Sequence, residues 1–81
     1  QDLSSNANQP FFSLSKKNLI IFNGEIYNHL ELRKKYLSNF NWKTNSDTET
    51  LIELFEYLGF DTLLSEIIGM YSFVIYSIEK K

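Results

Sequence analysis

The sequence predicts a folded domain of the α/β class, named α+β in another nomenclature. Apolar residues make up 43% of the chain and aromatic residues 16%, which is typical of a protein with a hydrophobic core. The apolar run at residues 19–22 is rich in β-branched and aromatic side chains and predicts a buried strand. One set of apolar residues has the i, i+3, i+4, i+7 spacing of an amphipathic helix: Leu51, Leu54, Phe55 and Leu58. At 81 residues, the chain holds one domain at most.

The chain begins with a predicted loop and a predicted β-hairpin. Residues 1–10 are polar, rich in Ser and Asn, and end in Pro, which favours a loop. Two apolar runs follow at residues 11–14 and 19–22, and the polar residues between them suit a hairpin connection. We therefore expect Phe11 and Phe12 to be core aromatics.

A helix is predicted at residues 29–38, followed by a short edge strand at residues 40–43. Asn28 and Glu31 have the spacing of a capping box at the start of this helix. Arg33 belongs to a group of charged residues that we expect to point outward. Apolar and polar residues alternate at positions 40–43, which favours a strand.

The second half of the chain predicts two more helices and a strand. Ser46 and Glu49 have capping-box spacing before the amphipathic helix, and Gly59 follows it as a C′ residue would. Asp61 is expected to cap a further short helix. Residues 70–78 are apolar on both faces, which predicts a strand between a helix layer and a second sheet. This arrangement is consistent with an αββα sandwich.

Composition and charge exclude several classes of function. The formal net charge is −2, and no basic cluster is interleaved with aromatic residues, which argues against a nucleic-acid partner. The chain has no cysteine, which excludes disulfides and thiolate metal sites and fits a reducing cytoplasm. No apolar run is long enough to span a membrane. His29 is the only histidine and has no second ligand at a suitable spacing, so we expect a surface residue and no metal site.

The strongest functional candidate is the pair Asn23 and Gly24, directly after the short strand predicted at residues 19–22. Asn-Gly after a strand most often forms a hairpin turn, because both residues tolerate positive φ. Here no second alternating strand follows, and a helix start is predicted at Asn28, so strand, tight turn and helix is the favoured order. A glycine N–H and an asparagine amide at such a junction would be two donors able to converge on one oxyanion.

Asp47 and Glu49 allow two interpretations. Acidic residues in the first turn of a helix are favoured by the helix dipole, so both residues could serve only to start the helix. A binding role is compatible with this, because Ser46 can cap the helix while Asp47 points its carboxylate into a pocket.

Three segments in this order resemble a known family. They are residues 22–33 (FNGEIYNHLELR), 46–49 (SDTE) and 69–76 (GMYSFVIY), and the Gln-Pro pair at positions 9–10 also fits. The chain resembles the glutaminase domain of asparagine synthetases. That domain is a class II glutamine amidotransferase within the N-terminal-nucleophile hydrolases, whose fold is a sandwich of two β-sheets covered on each side by helices.

The resemblance implies a role for four residues. The side-chain amide of Asn23 and the backbone N–H of Gly24 would form the oxyanion hole over the carboxamide of glutamine. Glu25 and Asp47 would hold the α-amino group of glutamine. An ammonium group in a pocket needs carboxylate partners, which agrees with this assignment.

The sequence also departs from the family pattern. The family's nucleophile is a cysteine at the mature N-terminus, activated by its own α-amine, and this chain has no cysteine. The arginine that grips the substrate carboxylate is also missing, as are the later Arg-Asp and Gly-x-x-Pro-Leu segments, and Ser77 stands where relatives often have Asp. We therefore expect residues 1–81 to be an internal, partial type 2 amidotransferase domain that lacks the N-terminal nucleophile and the C-terminal part. By itself the chain should not hydrolyse glutamine.

For the longer protein, the resemblance implies hydrolysis of glutamine to glutamate and ammonia in the cytoplasm. A second domain would use ATP and Mg to amidate aspartate or another carboxylate, this domain would need no cofactor, and a homodimer is possible. Two alternatives remain open. The domain could be a catalytically inactive glutaminase-like module with a structural or interaction role. The chain could also be an unrelated small α/β binding domain in which Asn23 and Gly24 form a simple turn.

Overall fold

A computed structural model describes residues 10–78, so all but the last residue of the loop predicted at residues 1–10 lies outside the described part, as does the chain beyond residue 78. The described residues form a small α+β domain with three strands and three helices. In chain order these are β1 (Phe11–Phe12), β2 (Asn18–Ile26), α1 (His29–Tyr36), α2 (Asp47–Leu58), α3 (Phe60–Glu66) and β3 (Gly69–Ser77). Within residues 10–78, none of the helices has the length and apolar character needed to cross a membrane.

The strands form one antiparallel sheet with β2 in the centre. The strand order is β1-β2-β3, and Phe11 pairs with Ile20 while Phe22 pairs with Phe73. The turn between β1 and β2 is closed by the Ser13 N–H, which donates to the Asn18 carbonyl at 2.9 Å. The predicted hairpin is therefore confirmed.

The hydrophobic core lies between one face of the sheet and the helices. Nine apolar residues are buried there: Ile20, Phe22, Ile26, Leu32, Leu51, Ile52, Leu54, Leu63 and Ile67. Three of these, Leu51, Ile52 and Leu54, come from about one turn of α2 and are fully inaccessible to solvent. The amphipathic pattern that predicted α2 thus identifies the helix that fills the centre of the core.

The prediction that Asn23 and Gly24 end the strand is wrong. β2 continues to Ile26, and Gly24 pairs with Tyr71 of β3. Gly24 has a φ of +127°, and a Cβ at this position would lie only 2.6 Å from the Tyr71 Cα. The absence of a Cβ at Gly24 therefore allows two strands to approach closely, and the residue does not form a turn. This is a common role of glycine inside a strand.

The start of α1 differs from the predicted capping box. Asn28 is at the N-cap position, but its side chain makes no cap hydrogen bond. Instead its Nδ2 donates to the Glu66 carbonyl and its Oδ1 accepts the Ile68 N–H, both at 2.9 Å. The side chain thus joins the start of α1 to the end of α3, and the helix ends at Tyr36 rather than at residue 38.

Both ends of α2 agree with the sequence. The Ser46 Oγ accepts the Glu49 N–H at 3.2 Å, which confirms the predicted N-cap. Gly59 follows the helix with a φ of +86°, and its N–H donates to the Phe55 carbonyl. Helix α3 begins directly after Gly59, so Asp61 lies in its first turn and the prediction of Asp61 as a cap is wrong.

Two other predictions about chain segments are also wrong. Residues 40–43 form no strand, and the Trp42 N–H donates to the Phe40 carbonyl in a local turn. β3 is not buried on both faces, because Met70 is 73% exposed and Val74 is 51% exposed, while Phe73 and Ile75 on the other face are partly buried. Phe12 is exposed as well, contrary to the expected core position.

The most exposed apolar residues of β3 share one face of the sheet. Met70, Val74 and Tyr76 alternate with Phe73 and Ile75, which face the helices and are partly buried. No second sheet covers this face within residues 10–78. The described part of the chain is therefore one sheet with helices on one side.

Candidate functional site

A cleft of about 390 Å³ opens where the end of β2 meets the start of α2. Residues 25–27 form one wall, His29 and Leu30 form a second, and residues 45–47 form the third. Two of the predicted site residues, Glu25 and Asp47, line this cleft. The fold thus brings to one cleft two acidic residues that are 22 positions apart in the sequence.

Asp47 is held in the cleft by the backbone of β2. It is the first residue of α2, and its Oδ2 accepts the Ile26 N–H at 2.9 Å. Ile26 directly follows Glu25, so this hydrogen bond joins the two acidic positions through the main chain. Among residues 10–78 no further hydrogen bond uses the second oxygen, Oδ1, which leaves it for a ligand.

The other two predicted residues lie outside the cleft wall. Asn23 is an exposed residue of β2 that pairs with Ser72, and Gly24 pairs with Tyr71. Neither residue lines the cleft that contains Glu25 and Asp47. The structure therefore places all four residues on one short stretch of β2 and its neighbour α2, but of the four only Glu25 and Asp47 line the cleft.

His29 lines the cleft, whereas the sequence predicted a surface residue without a role in the site. It is half-buried, and its Nδ1 lies 2.9 Å from the Thr50 Oγ1. Burial lowers the pKa of His29, Arg33 lowers it further, and the negative charge of Asp47 opposes both. The neutral ring is therefore favoured. Within residues 10–78 no group of three acidic or histidine side chains is placed to hold a metal ion.

Arg33 is buried, although the sequence predicts an outward position. Only 6% of the residue is exposed, and the guanidinium makes three hydrogen bonds. Nε donates to the Thr50 Oγ1 at 2.6 Å, Nη1 to the Thr44 carbonyl at 2.8 Å and Nη2 to the Ser46 carbonyl at 2.8 Å. Burial lowers the pKa of Arg33, and the charges of Glu49 and Asp47 act in the opposite direction. Sequence reasoning missed this residue because charged residues surround it in α1.

Glu49 is the second buried charge near the site, with an exposed fraction of 2%. Its Oε2 accepts the Lys43 N–H at 3.0 Å. Its Oε1 accepts both the N–H and the hydroxyl of Thr44, at 2.7 and 2.8 Å. The capping-box spacing pointed to this residue, but the carboxylate binds the preceding loop instead of the Ser46 N–H.

The family of the chain follows from comparison with known proteins. All of the chain, residues 1–81, matches the family described as "Glutamine amidotransferase domain". The chain therefore belongs to the glutamine amidotransferase domain family, and the resemblance seen in its motifs is confirmed.

Individual relatives narrow the comparison. The chain is 36% identical to asparagine synthetase B of Escherichia coli strain K12 over 72 residues, which are 89% of this chain. It is 44% identical to a putative asparagine synthetase 2 of Methanocaldococcus jannaschii over 76% of its length, and 41% identical to asparagine synthetase 1 of Arabidopsis thaliana over 88%. All three are named as glutamine-hydrolyzing. The matched part is only 12–13% of each relative, so the chain spans a small part of their length.

Proposed function

We propose that this chain is part of the glutaminase domain of a glutamine-dependent asparagine synthetase-like enzyme. The family match over residues 1–81 carries this proposal, together with relatives that are named as glutamine-hydrolyzing. In the proposed reaction, glutamine is hydrolysed to glutamate and ammonia. A second domain of the longer protein uses the ammonia for ATP-dependent amidation of aspartate.

Glu25 and Asp47 are proposed to bind the α-ammonium group of glutamine. Both residues line the same cleft, and the Asp47 Oδ1 is available for a further hydrogen bond. A charged donor and a carboxylate form a short hydrogen bond that is stronger than a neutral one. The cleft would thus recognise an amino acid by its positive end.

Asn23 and Gly24 are proposed to stabilise the oxyanion of the tetrahedral intermediate. A thiolate would attack the carboxamide carbon, the intermediate would release ammonia, and water would then hydrolyse the thioester to glutamate. The thiol must come from outside these residues, because the 81-residue sequence contains no cysteine. The isolated chain is therefore expected to be inactive.

The remaining features of the longer protein are proposed on the resemblance. They are an αββα sandwich of the N-terminal-nucleophile hydrolase type, ATP and Mg in the synthetase domain, and a cytoplasmic location. The exposed apolar face of β3 supports the sandwich, because a face with Met70 and Val74 at its surface suits a second layer. The homodimer stays a prediction.

The experiment that tests the function is an ammonia-release assay on the full-length protein with Asp47→Asn. An asparagine at this position keeps an oxygen acceptor for the Ile26 N–H but removes the negative charge. We expect KM for glutamine to rise by about 10- to 100-fold, because the variant loses one charge-assisted hydrogen bond to the substrate.

Asp61→Asn is the matched control, because Asp61 is an exposed acidic residue of α3 that does not line the cleft. It should leave KM unchanged. The mature N-terminal residue of the full-length protein should be determined in parallel. A residue other than cysteine, together with no ammonia release, would replace this proposal by the inactive glutaminase-like module.

A further inference from the structure

Arg33 and Glu49 are buried charged residues on either side of the loop at residues 43–46, which leads into α2. Neither residue lines the cleft. Arg33 approaches this loop from α1, and Glu49 approaches it from α2. We propose that Arg33 and Glu49 are positioning residues that fix the loop so that Asp47 presents its carboxylate to the cleft. This inference rests on the proposed function, since it assumes that Asp47 binds the ammonium group of glutamine.

The Arg33 guanidinium holds the peptide group next to Asp47. The Ser46 carbonyl belongs to the peptide bond that joins Ser46 to Asp47, and it accepts the hydrogen bond of Nη2 at 2.8 Å. Nη1 binds the Thr44 carbonyl two residues earlier. Two carbonyls of the loop are thus fixed by one planar group, which restricts both the position and the direction of the chain at Asp47.

Glu49 binds backbone N–H groups of the same loop. Its two carboxylate oxygens accept the N–H groups of Lys43 and Thr44. Arg33 therefore binds carbonyls of the loop and Glu49 binds amides, so one short segment is held by two complementary charges. The Trp42 ring adds a third contact, because the Arg33 Cζ lies 4.0 Å from its centre.

The hydrogen bonds of Arg33 also extend to the cleft, through Thr50 and His29. The Arg33 Nε donates to the Thr50 hydroxyl, which lies 2.9 Å from the Nδ1 of the cleft residue His29. Asp47 in turn accepts the Ile26 N–H at the end of β2. A shift of the loop would strain or break this hydrogen bond, and it would move the Asp47 carboxylate relative to Glu25, which lies on β2.

The shape of the Arg33 side chain matters more than its charge in this arrangement. Lysine keeps the positive charge, but its ammonium is a compact point charge without the planar fork that reaches three separate acceptors. Arg33→Lys therefore tests the geometry directly. Glu49→Gln does the same on the other side, since its amide nitrogen would face a backbone N–H in place of an acceptor oxygen.

The test compares two substrates of the full-length protein. One is glutamine, and the other is 4-carbamoylbutanoate, which is glutamine without its α-amino group. The ratio of their kcat/KM values measures recognition of the ammonium group alone. Wild-type protein, Asp47→Asn, Arg33→Lys and Glu49→Gln are compared. Leu63→Ala serves as a control that weakens the core at a fully buried position of α3.

We expect the ratio to fall by about 5-fold or more in Arg33→Lys and Glu49→Gln, as in Asp47→Asn, because a displaced carboxylate loses its charge-assisted hydrogen bond. The ratio should stay at the wild-type value in Leu63→Ala, even if that variant is less stable. If Arg33→Lys does not fold, Thr50→Val removes the acceptor of the Nε hydrogen bond and gives the same test.

Two results separate the failure of this inference from the failure of the proposed function. If Asp47→Asn lowers the ratio but Arg33→Lys and Glu49→Gln do not, the positioning role is wrong and the proposed ammonium site stands. A ratio that falls equally in Leu63→Ala overturns the positioning role too. If the wild type does not prefer glutamine, or Asp47→Asn leaves the ratio unchanged, the proposed ammonium site itself is wrong.

Discussion

Replacing Gly24 by alanine should open the contact between β2 and β3. Gly24 has a φ of +127°, a backbone conformation that residues with a Cβ rarely adopt. The added Cβ would also lie 2.6 Å from the Tyr71 Cα and would overlap the Met70 carbonyl. Both neighbours are main-chain atoms, so no side-chain rotation can relieve the overlap.

The expected cost follows from these two effects. A non-glycine residue at such a φ costs about 1–3 kcal/mol. Separating the strands at this point would forfeit one or two ladder hydrogen bonds, at about 1 kcal/mol each. We therefore expect Gly24→Ala to destabilise the sheet by about 3 kcal/mol or more.

Gly59→Ala is the matched control. Gly59 also has a positive φ, of +86°, but a Cβ there would meet nothing within 4 Å. This variant should therefore show the backbone strain without the steric overlap. Its cost should be lower than that of Gly24→Ala by about 2 kcal/mol, the part that the strand separation adds.

Hydrogen–deuterium exchange of the full-length protein measures the difference. The amides of β2 and β3 should exchange roughly 30-fold faster in Gly24→Ala than in Gly59→Ala, since about 1.4 kcal/mol corresponds to a factor of ten in the opening equilibrium. Equal exchange in the two variants would refute the close approach of the strands as the reason for glycine at position 24.

Two further predictions concern His29 and Ser46. Burial lowers the pKa of His29, so its contribution to stability is present above the unfolded-state value of 6.5 and is lost as the pH falls through the folded-state pKa. We expect Tm to decrease between pH 7 and pH 5 in the wild type and to decrease less in His29→Asn; identical pH dependence would contradict this. Ser46→Ala removes the acceptor of the Glu49 N–H and should cost about 1 kcal/mol, seen as faster exchange of the first amides of α2. Ser46→Thr keeps the hydroxyl and should restore slow exchange, so an equal loss in both variants would show that the cap is unimportant.

Local sequence signals predicted α2 almost completely. The helix begins after the cap residue Ser46, carries one apolar stripe and ends before Gly59. Each of these signals comes from residues only a few positions apart in the sequence. The same holds for the hairpin of β1 and β2, where two apolar runs flank a short polar turn. These elements could be predicted because their defining interactions are local.

The candidate site was only partly predictable. The motifs named Glu25 and Asp47, and the structure places both in one cleft. The motifs did not reveal that the Ile26 N–H holds Asp47, because this hydrogen bond joins residues 21 positions apart. They also indicated a turn at Gly24, since Asn-Gly has the same local preference whether or not a partner strand is present.

The sequence by itself determined which family the chain belongs to, the helices with clear caps and stripes, and the residue types able to bind an ammonium group. Tertiary structure alone decided that β2 continues past Gly24 while paired with β3. It also decided that the Arg33 side chain points inward and binds the loop before Asp47. The physical reason is the same in both cases. A strand partner and a buried acceptor lie far away in the chain, and only the packed fold brings them close enough to outweigh local preference.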